Sequence, residues 1–431
     1  MGLGLLGRGI GDVWYLARCG AELIVTDLKS EVELASALAE LREFQNITYV
    51  LGEHRLEDFR NRDLVLKAAG VPLDSPYIAE ARAHGVPVAM SAALFAELSG
   101  IPVIGVTGTR GKSTVTHLIH HVLQSATEEP VLLGGNVRGV SNLALFDDVR
   151  EDSLAVLELD SWQLQGFGEA TRSPRIAVFT NFMDDHLNYY KNDRDAYFAD
   201  KAQIFMHQGV GDTLVTTPAV FARAEAFARA SGHTFAQEVE LVDDSLVPED
   251  WVVPLPGEHN RLNVALALAA LRATSLDDEL IRAGIETFPG VPGRLEFLGE
   301  RRGVRMYNDN NATTPQATVA ALEALSADKN VVLIAGGADK GIDLAPLAAA
   351  IEKHAKHTVL LAGTGTDHLK EMLPDAVVYE NVSAALDAAQ AAAEDGDVLL
   401  FSPGFASFGL FQNEYDRNDQ FVAAVRALSP A

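Results

Sequence analysis

The sequence predicts an α/β protein of three domains, built on parallel sheets covered by helices on both faces. Three observations lead there. Short β-branched runs alternate with Ala- and Leu-rich helical stretches along the 431 residues. The strands are apolar throughout rather than at every second residue, as strands buried on both faces are. The length exceeds one ordinary core, so two or three domains are expected.

The first group begins oddly. GLGLLG (2–7) has the spacing G-x-G-x-x-G, a fingerprint that requires a strand in front, and only Met1 precedes it. A chance glycine turn explains the spacing equally well. LIVTD (23–27) reads as a strand ending on Asp27, where a ribose-binding acid can lie. The expectation is a domain whose first strand is missing, as a misassigned start codon would leave it. Upstream codons without an apolar run would refute this. EVELASALAELREF (31–44) reads as a helix, and SAALFAELSG (91–100) leads out of the group.

In the second group the strand IPVIGVTG (101–108) feeds GVTGTRGKST (105–114), and the helix THLIHHVLQ (116–124) follows. LAVLELD (154–160) and RIAVFTN (175–181) are further strands, and RLNVALALAALRA (261–273) a helix. ETFPGVPGRLEF (286–297), with two Pro and two Gly, reads as a linker. Beyond it NVVLIAGG (330–337), HTVLLAGTG (357–365) and DVLLFSPG (397–404) are strands. APLAAAIEKH (345–354) and SAALDAAQAAAE (383–394) are helices. The domains are thus expected at 1–91, 92–290 and 291–431.

Net charge is −26, which argues against nucleic acid or an anionic membrane as partner. Any anionic ligand must then be held by local cations and backbone N–H groups. Cys19 is the one cysteine, so no intramolecular disulfide forms. No apolar run reaches membrane-spanning length, and the N-terminus has no signal-peptide pattern. A cytoplasmic protein is expected.

GVTGTRGKST is out of frame for G-x-x-x-x-G-K-[ST], because position 106 is Val. Its context is nevertheless right: a strand enters, a helix leaves, and backbone N–H groups converge on an anion. Gly108, Thr109 and Gly111 would form the loop. Lys112 can neutralise phosphate charge, Ser113 can ligate Mg²⁺, and Thr114 adds a second hydroxyl. Glu158 lies in an apolar strand, where a carboxylate is costly unless paired or metal-bound. The alternative is a strand-end acid facing solvent. His186 follows a strand end and is unremarked by pattern. Lys201 shares helical spacing with Tyr197, Ile204 and Phe205. Such a lysine is either desolvated, with a lowered pKa, or snorkels its head into water. Asn260 and Asn263 open a helix, where capping suffices for Asn260. Arg294 sits in the linker, Asp309 in the polar cluster YNDNNATTP, and Lys340 in the glycine turn AGGADKG. Ser407 belongs to a third such loop, SPGFASF.

Taken together these segments resemble one family, the ATP-dependent Mur ligases of peptidoglycan synthesis. The resemblance runs in order along nearly the whole chain: TGTRGKST, GGN (134–136), LELDSWQL, NFMDDH, ADKAQIF, PGEHNRLN, GVPGR, YNDNNAT, GGADKG and SPGFASF. The family's glycine loop lacks the first Walker glycine, which accounts for the frame. The resemblance implies a Rossmann-like N-terminal domain for a UDP-sugar, a central P-loop mononucleotide-binding domain for ATP, and a Rossmann-like C-terminal domain for an amino acid. Chain length and the GLGLLGRG opening look most like members that add D-glutamate to UDP-N-acetylmuramoyl-L-alanine. By resemblance the glycine loop, Lys112, Ser113 and Thr114 bind ATP and a first Mg²⁺, with Glu158 as metal ligand. His186 and Lys201 serve a second Mg²⁺, Lys201 as its carbamate. Asn136 contacts the UDP-sugar. Asn263, Arg294 and Asp309 contact ATP, Arg294 as the third domain closes. Lys340 and Ser407 hold D-glutamate. A monomer is implied.

This chain departs from the family pattern at Arg110, Asp160, Gly293, Asn311, Glu414 and the LKAAGV stretch (66–71). Two other readings stay open. One is a ligase with another acceptor, as in a folylpolyglutamate synthase-like enzyme. The other is a relative that binds nucleotide without ligating, against which Lys112, Glu158, His186 and Lys201 together argue.

Overall fold

The structure, a computed structural model, describes residues 1–4, 7–185, 189–255, 257 and 259–428. The chain forms two compact units, Met1–Trp251 with Leu262–Glu286, and Val252–Arg261 with Thr287–Ala431.

The first unit opens with α1 (Arg8–Arg18), β1 (Leu23–Asp27), α2 (Ala35–Leu41), β2 (Ile47–Leu51), β3 (Val65–Leu66), α3 (Pro76–Ala83), β4 (Val88–Ala89) and α4 (Ser91–Leu98). β1 pairs parallel with β2, and β3 with β4. The backbone of residues 1–2 is bonded to both pairs, Gly2 N donating to Thr26 O at 2.8 Å and Ala68 N to Met1 O at 2.9 Å. Leu5 and Leu6 of the glycine-spotted opening lie outside the described residues. The helix expected over 31–44 is shorter. Ser30 and Glu33 exchange hydrogen bonds, with Ser30 N 2.7 Å from Glu33 Oε2, and this closes a separate turn before α2.

The unit continues with β5 (Val103–Thr107), α5 (Lys112–Ala126), β6 (Val131–Gly135), β7 (Leu154–Glu158), α6 (Ser161–Glu169), β8 (Ile176–Phe179), α7 (Arg194–Ala202), β9 (Thr213–Thr216), α8 (Pro218–Ser231), β10 (Glu238–Leu241), α9 (His259–Arg272), which belongs to it from Leu262 onward, and α10 (Asp278–Glu286). Six strands form one parallel sheet, in the order β10-β9-β8-β5-β7-β6. β5, which feeds the glycine loop, is central, and every residue of β5 and β8 is buried. Phe95, Phe167, Phe179, Phe198 and Phe205 fill the space between this sheet and its helices. Such a sheet fixes the heights of its strand ends, which is where ligands of open α/β sheets bind.

The second unit holds β11 (Glu296–Arg301), β12 (Val304–Asn308), α11 (Pro315–Leu325), β13 (Val331–Ala335), α12 (Ala345–His354), β14 (Ala355–Leu361), α13 (Thr364–Met372), β15 (Val377–Tyr379), α14 (Val382–Ala392), β16 (Val398–Phe401) and α15 (Glu414–Ala427). Its sheet order is β11-β12-β16-β13-β14-β15, parallel except for the β11–β12 edge hairpin. Apolar clusters cover both faces of this sheet. The α/β class with parallel sheets is therefore as the sequence predicts. The antiparallel hairpin is an edge feature, with alternating exposure that a buried-strand pattern does not announce.

Candidate active site

The site in the first unit is built around the loop between β5 and α5. Gly111 adopts a left-handed backbone, φ 80°, and α5 begins at the next residue, Lys112, ahead of the expected 116–124. The neighbouring loop after β8 fixes the cradle's shape. Thr180 N donates to Thr107 O at 2.9 Å, Thr109 N to Asn181 O at 3.0 Å, and Arg110 N to the Asn181 side chain at 2.8 Å. Thr180 Oγ1 donates to Arg110 O at 2.5 Å. Thr109 Oγ1 accepts from Met183 N at 2.9 Å. The loop is thus held by fixed bonds before any phosphate arrives, which lowers the ordering cost of binding. Lys112 Nζ rests on Thr109 O at 3.2 Å, and Ser113 and Thr114 follow it in the first turn of α5. Asn263, on α9, presses its side-chain oxygen toward Gly111, so its place beside the cradle depends on that residue having no Cβ.

Glu158 ends β7, level with Val106 on β5 and Gly135 on β6. It is 5% exposed, so it is not a strand-end acid facing solvent. Glu158 O accepts from Asn136 N at 2.7 Å, which sets Asn136 beside the same strand end. The Asn136 side-chain oxygen accepts from Arg8, at the start of α1. Glu158 and Ser113 offer the hard oxygen donors that Mg²⁺ takes, and a buried carboxylate at a strand end suits a cation.

Lys201 settles between its two readings: it is 1% exposed, and Tyr197, Ile204 and Phe205 are equally buried. Its Nζ donates to Gly108 O at 2.7 Å, inside the cradle, and lies 5.1 Å from the Tyr197 ring. Burial drives its pKa down from 10.5 to about 7, and the Lys112 charge pushes the same way. Carboxylates of Asp160, Asp185 and Glu158 oppose this. A substantial share of the amine is therefore neutral and nucleophilic near pH 7. Asp200 anchors the same helix, accepting from Gln165 Nε2 at 2.8 Å and from the Tyr190 hydroxyl at 2.9 Å. His186 lies outside the described residues.

In the second unit the loops after β12, β13 and β16 carry the remaining candidates. Asp309 is buried, accepts from Ser402 Oγ at 2.8 Å and from Leu295 N at 3.2 Å, and follows exposed Arg294 into the same corner. Ser407 is buried, while Lys340 is exposed and shares a small cleft with Thr313 and Phe405. Asp27 is engaged by the N-terminal opening and by its own loop, accepting from Gly4 N at 3.0 Å and from Lys29 N at 2.9 Å.

Burial pushes the Asp309 carboxyl up from 3.8 to about 7. The folded state therefore holds a proton between those values that the unfolded state has lost, and stability falls as pH rises through that window. Asp309→Asn removes the penalty. Its melting temperature should drop less than that of the wild type between pH 4 and 7, a difference of up to a few kcal/mol in stability. Parallel slopes for the two proteins across that window would refute it.

Sequence reasoning missed Thr180, Asn181, Asp200 and Arg417. The first two end the run RIAVFTN, whose strand stops at Phe179, and their partners lie about seventy positions away in the chain. Arg417 carried a visible signal: it lies four residues before Phe421 and eight before Val425, on the buried stripe of α15.

A strained glycine loop between a central strand and a helix that opens on lysine, with a buried carboxylate on the next strand, defines a nucleotide-handling α/β enzyme. Three family profiles match in order: the Mur ligase MurD-like N-terminal domain over residues 1–90, the Mur ligase middle domain over 106–271, and the Mur ligase glutamate ligase domain over 293–405. The UDP-N-acetylmuramoylalanine–D-glutamate ligase of Roseiflexus sp. (strain RS-1) is 37% identical over 100% of this chain and 98% of its own length. Those of Borreliella burgdorferi and Treponema pallidum are 33% and 32% identical, each over 99% of this chain and 97% of their own. The chain belongs to the Mur ligase family. Among solved structures, the UDP-N-acetylmuramate–alanine ligase MurC of Thermotoga maritima aligns over 99% of this chain and 98% of its own, with TM-score 0.62 and 20% identity. E. coli FolC in complex with ADP aligns over 78% of this chain and 92% of its own, with TM-score 0.56 and 20% identity. At such identities the likeness is one of fold.

Proposed function

We propose that this chain joins D-glutamate to UDP-N-acetylmuramoyl-L-alanine at the expense of ATP, in the assembly of peptidoglycan precursors. The observation that supports it most is the full-length identity to ligases of that name, 37% for that of Roseiflexus sp.. Readings with another acceptor rest on fold likeness near 20% identity and carry less. Residues 1–91 are assigned to the UDP-sugar, 92–290 to ATP and 291–431 to the amino acid.

The substrate's L-alanyl carboxylate attacks the γ-phosphate of ATP. The carboxylate–phosphorus bond forms as the bond to ADP breaks, giving an acyl phosphate. The amine of D-glutamate then attacks the acyl carbon, phosphate leaves, and the amine proton passes to solvent or phosphate. The backbone N–H groups of Gly108, Gly111 and the first turn of α5 cradle the phosphates, while those of Thr109 and Arg110 are held by Asn181, and Lys112 offsets repulsion between the two anions. Ser113 and Glu158 would hold Mg²⁺, with His186 and carbamylated Lys201 holding a second ion; bound there, the ions supply charge neutralisation at the phosphates. The neutral, buried amine of Lys201 supports the carbamate, since only the free base adds CO₂ and the adduct is a carboxylate on a long arm. Asn136 is assigned to the UDP-sugar. Asn263, Arg294 and Asp309 are assigned to ATP, and Lys340 and Ser407 to D-glutamate. A cytoplasmic monomer fits this role. Among the described residues no helix is long and apolar enough to cross a membrane.

The test is phosphate release from ATP and Mg²⁺ with UDP-N-acetylmuramoyl-L-alanine, adding D-glutamate, L-alanine or neither, with product mass read alongside. Release and a product heavier by one glutamate are expected with D-glutamate alone. ATP binding without turnover on any acceptor would overturn the substrate assignment.

A further inference from the structure

The second unit contains a fully buried guanidinium that the reaction above does not use. Arg417 is 0% exposed, and no ion pair among the described residues includes it. Oxygens of two loops meet its charge instead. Nε donates to Asn310 Oδ1 at 2.8 Å and Nη2 to Asn310 O at 2.9 Å, while Nη1 donates to Phe405 O at 3.0 Å. Asn310, itself buried, returns a bond from Nδ2 to Glu414 O at 2.8 Å, in the first turn of the helix that carries Arg417.

An apolar side chain would fill this space without the desolvation cost of a cation. What it could not do is hold three oxygens from two loops in the fixed plane of a guanidinium. The two loops are those following the adjacent strands β12 and β16, paired at Asn308 and Phe401. Asp309 precedes Asn310 in one loop, and Ser407 lies two residues beyond Phe405 in the other. At their bases the loops already touch, through Ser402 Oγ on Asp309 and Gly404 N on Ala312 O at 2.8 Å. Arg417 joins them again further along.

We propose that Arg417 is a positioning residue that keeps the Asp309 loop and the Ser407 loop in one register, so that ATP and the incoming amino acid are bound as a coupled pair. This rests on the roles assigned above to Asp309 and Ser407.

The experiment uses the full chain and initial rates of phosphate release, each of the three substrates varied in turn. Arg417→Lys keeps the charge but loses the fork. It is expected to raise KM for both ATP and D-glutamate about tenfold, with KM for UDP-N-acetylmuramoyl-L-alanine within about twofold. Asn310→Ala removes one partner and leaves the arginine, and should shift the same two constants in the same direction. A lower kcat and melting temperature with all three KM values unchanged would make Arg417 a purely structural residue and overturn the proposal. Should Arg417→Lys not fold, unchanged ATP and D-glutamate KM values in Asn310→Ala overturn it equally. Absence of turnover by the unmodified chain with D-glutamate is a separate result: it overturns the functional reading, and this proposal with it.

Discussion

Lys201→Ala is expected to lower kcat by about a thousandfold while ATP still binds, the scale of losing one preorganised electrostatic group. The side chain ends on Gly108 O, in the wall of the cradle, so its loss removes charge from the reaction and not from the surface. Short carboxylates such as acetate should restore part of the rate, because they can enter the vacated space and supply the oxygens a carbamate would have supplied. The activity of the wild type should also depend on dissolved CO₂. Full activity in the alanine variant, or no response to any carboxylate, would sink this role. The same residue works against stability. Its folded pKa of about 7 lies below the unfolded 10.5, so the unfolded state binds more protons between those values. Stability attributable to this group therefore rises with pH across that window, and at pH 7 and below the buried cation is a net cost. Lys201→Met, similar in length and uncharged, should melt higher than the wild type at pH 7 while being inactive. A lower melting temperature would show that the bond to Gly108 outweighs the desolvation.

Gly108→Ala should lose both ATP binding and several kcal/mol of stability, the range of a core position made strained and overpacked at once. Gly108 has φ 143°, which L side chains seldom adopt, and a Cβ there would overlap Thr180 Oγ1 and crowd Asn181 N at 3.1 Å. Thr180 has nowhere to go, since its hydroxyl is bonded to Arg110 O on the far side of the same loop. The companion Thr180→Ala relieves the clash but also removes that bond, so the double variant should regain part of the stability and little of the ATP affinity. Calorimetric titration with ATP and a melting curve check both. An alanine variant that binds ATP as the wild type does would mean the loop is softer than its bonds imply.

Much of the fold was legible because its signals are local. Continuous apolar runs became β5, β7, β8, β13, β14 and β16, and APLAAAIEKH became α12 with the expected ends. The shortfalls have physical reasons. β10 is a short, largely exposed edge strand and carries little apolar signature, while β9, inside the sheet, is only four residues long with Thr at both ends. The glycine loop could be read as a cradle from strand, helix and lysine, but not the Thr180–Asn181 loop that shapes it, since those bonds join distant segments. Lys201 and Arg417 show how far periodicity reaches. Both stand on inward stripes with large apolar residues, and both are buried. The pattern could say that each side chain points inward. What each then bonds to, Gly108 in one case and two loops in the other, depends on tertiary packing.

The placement of α9 and α10 in the first unit bears on how the chain is made. Asn263 lies against Gly111, and Gly284 of α10 packs so close to Val122 of α5 that a Cβ there would come within 2.9 Å of it. These elements leave the ribosome long after β5 and α5, with β6 to β10 translated in between. A nascent chain halted before residue 262 would carry the glycine loop without its Asn263 flank and leave bare the part of α5 that α10 covers. Late arrival of a wall makes this stage a natural substrate for chaperones, and it delays competent nucleotide capture until nearly two-thirds of the polypeptide has emerged.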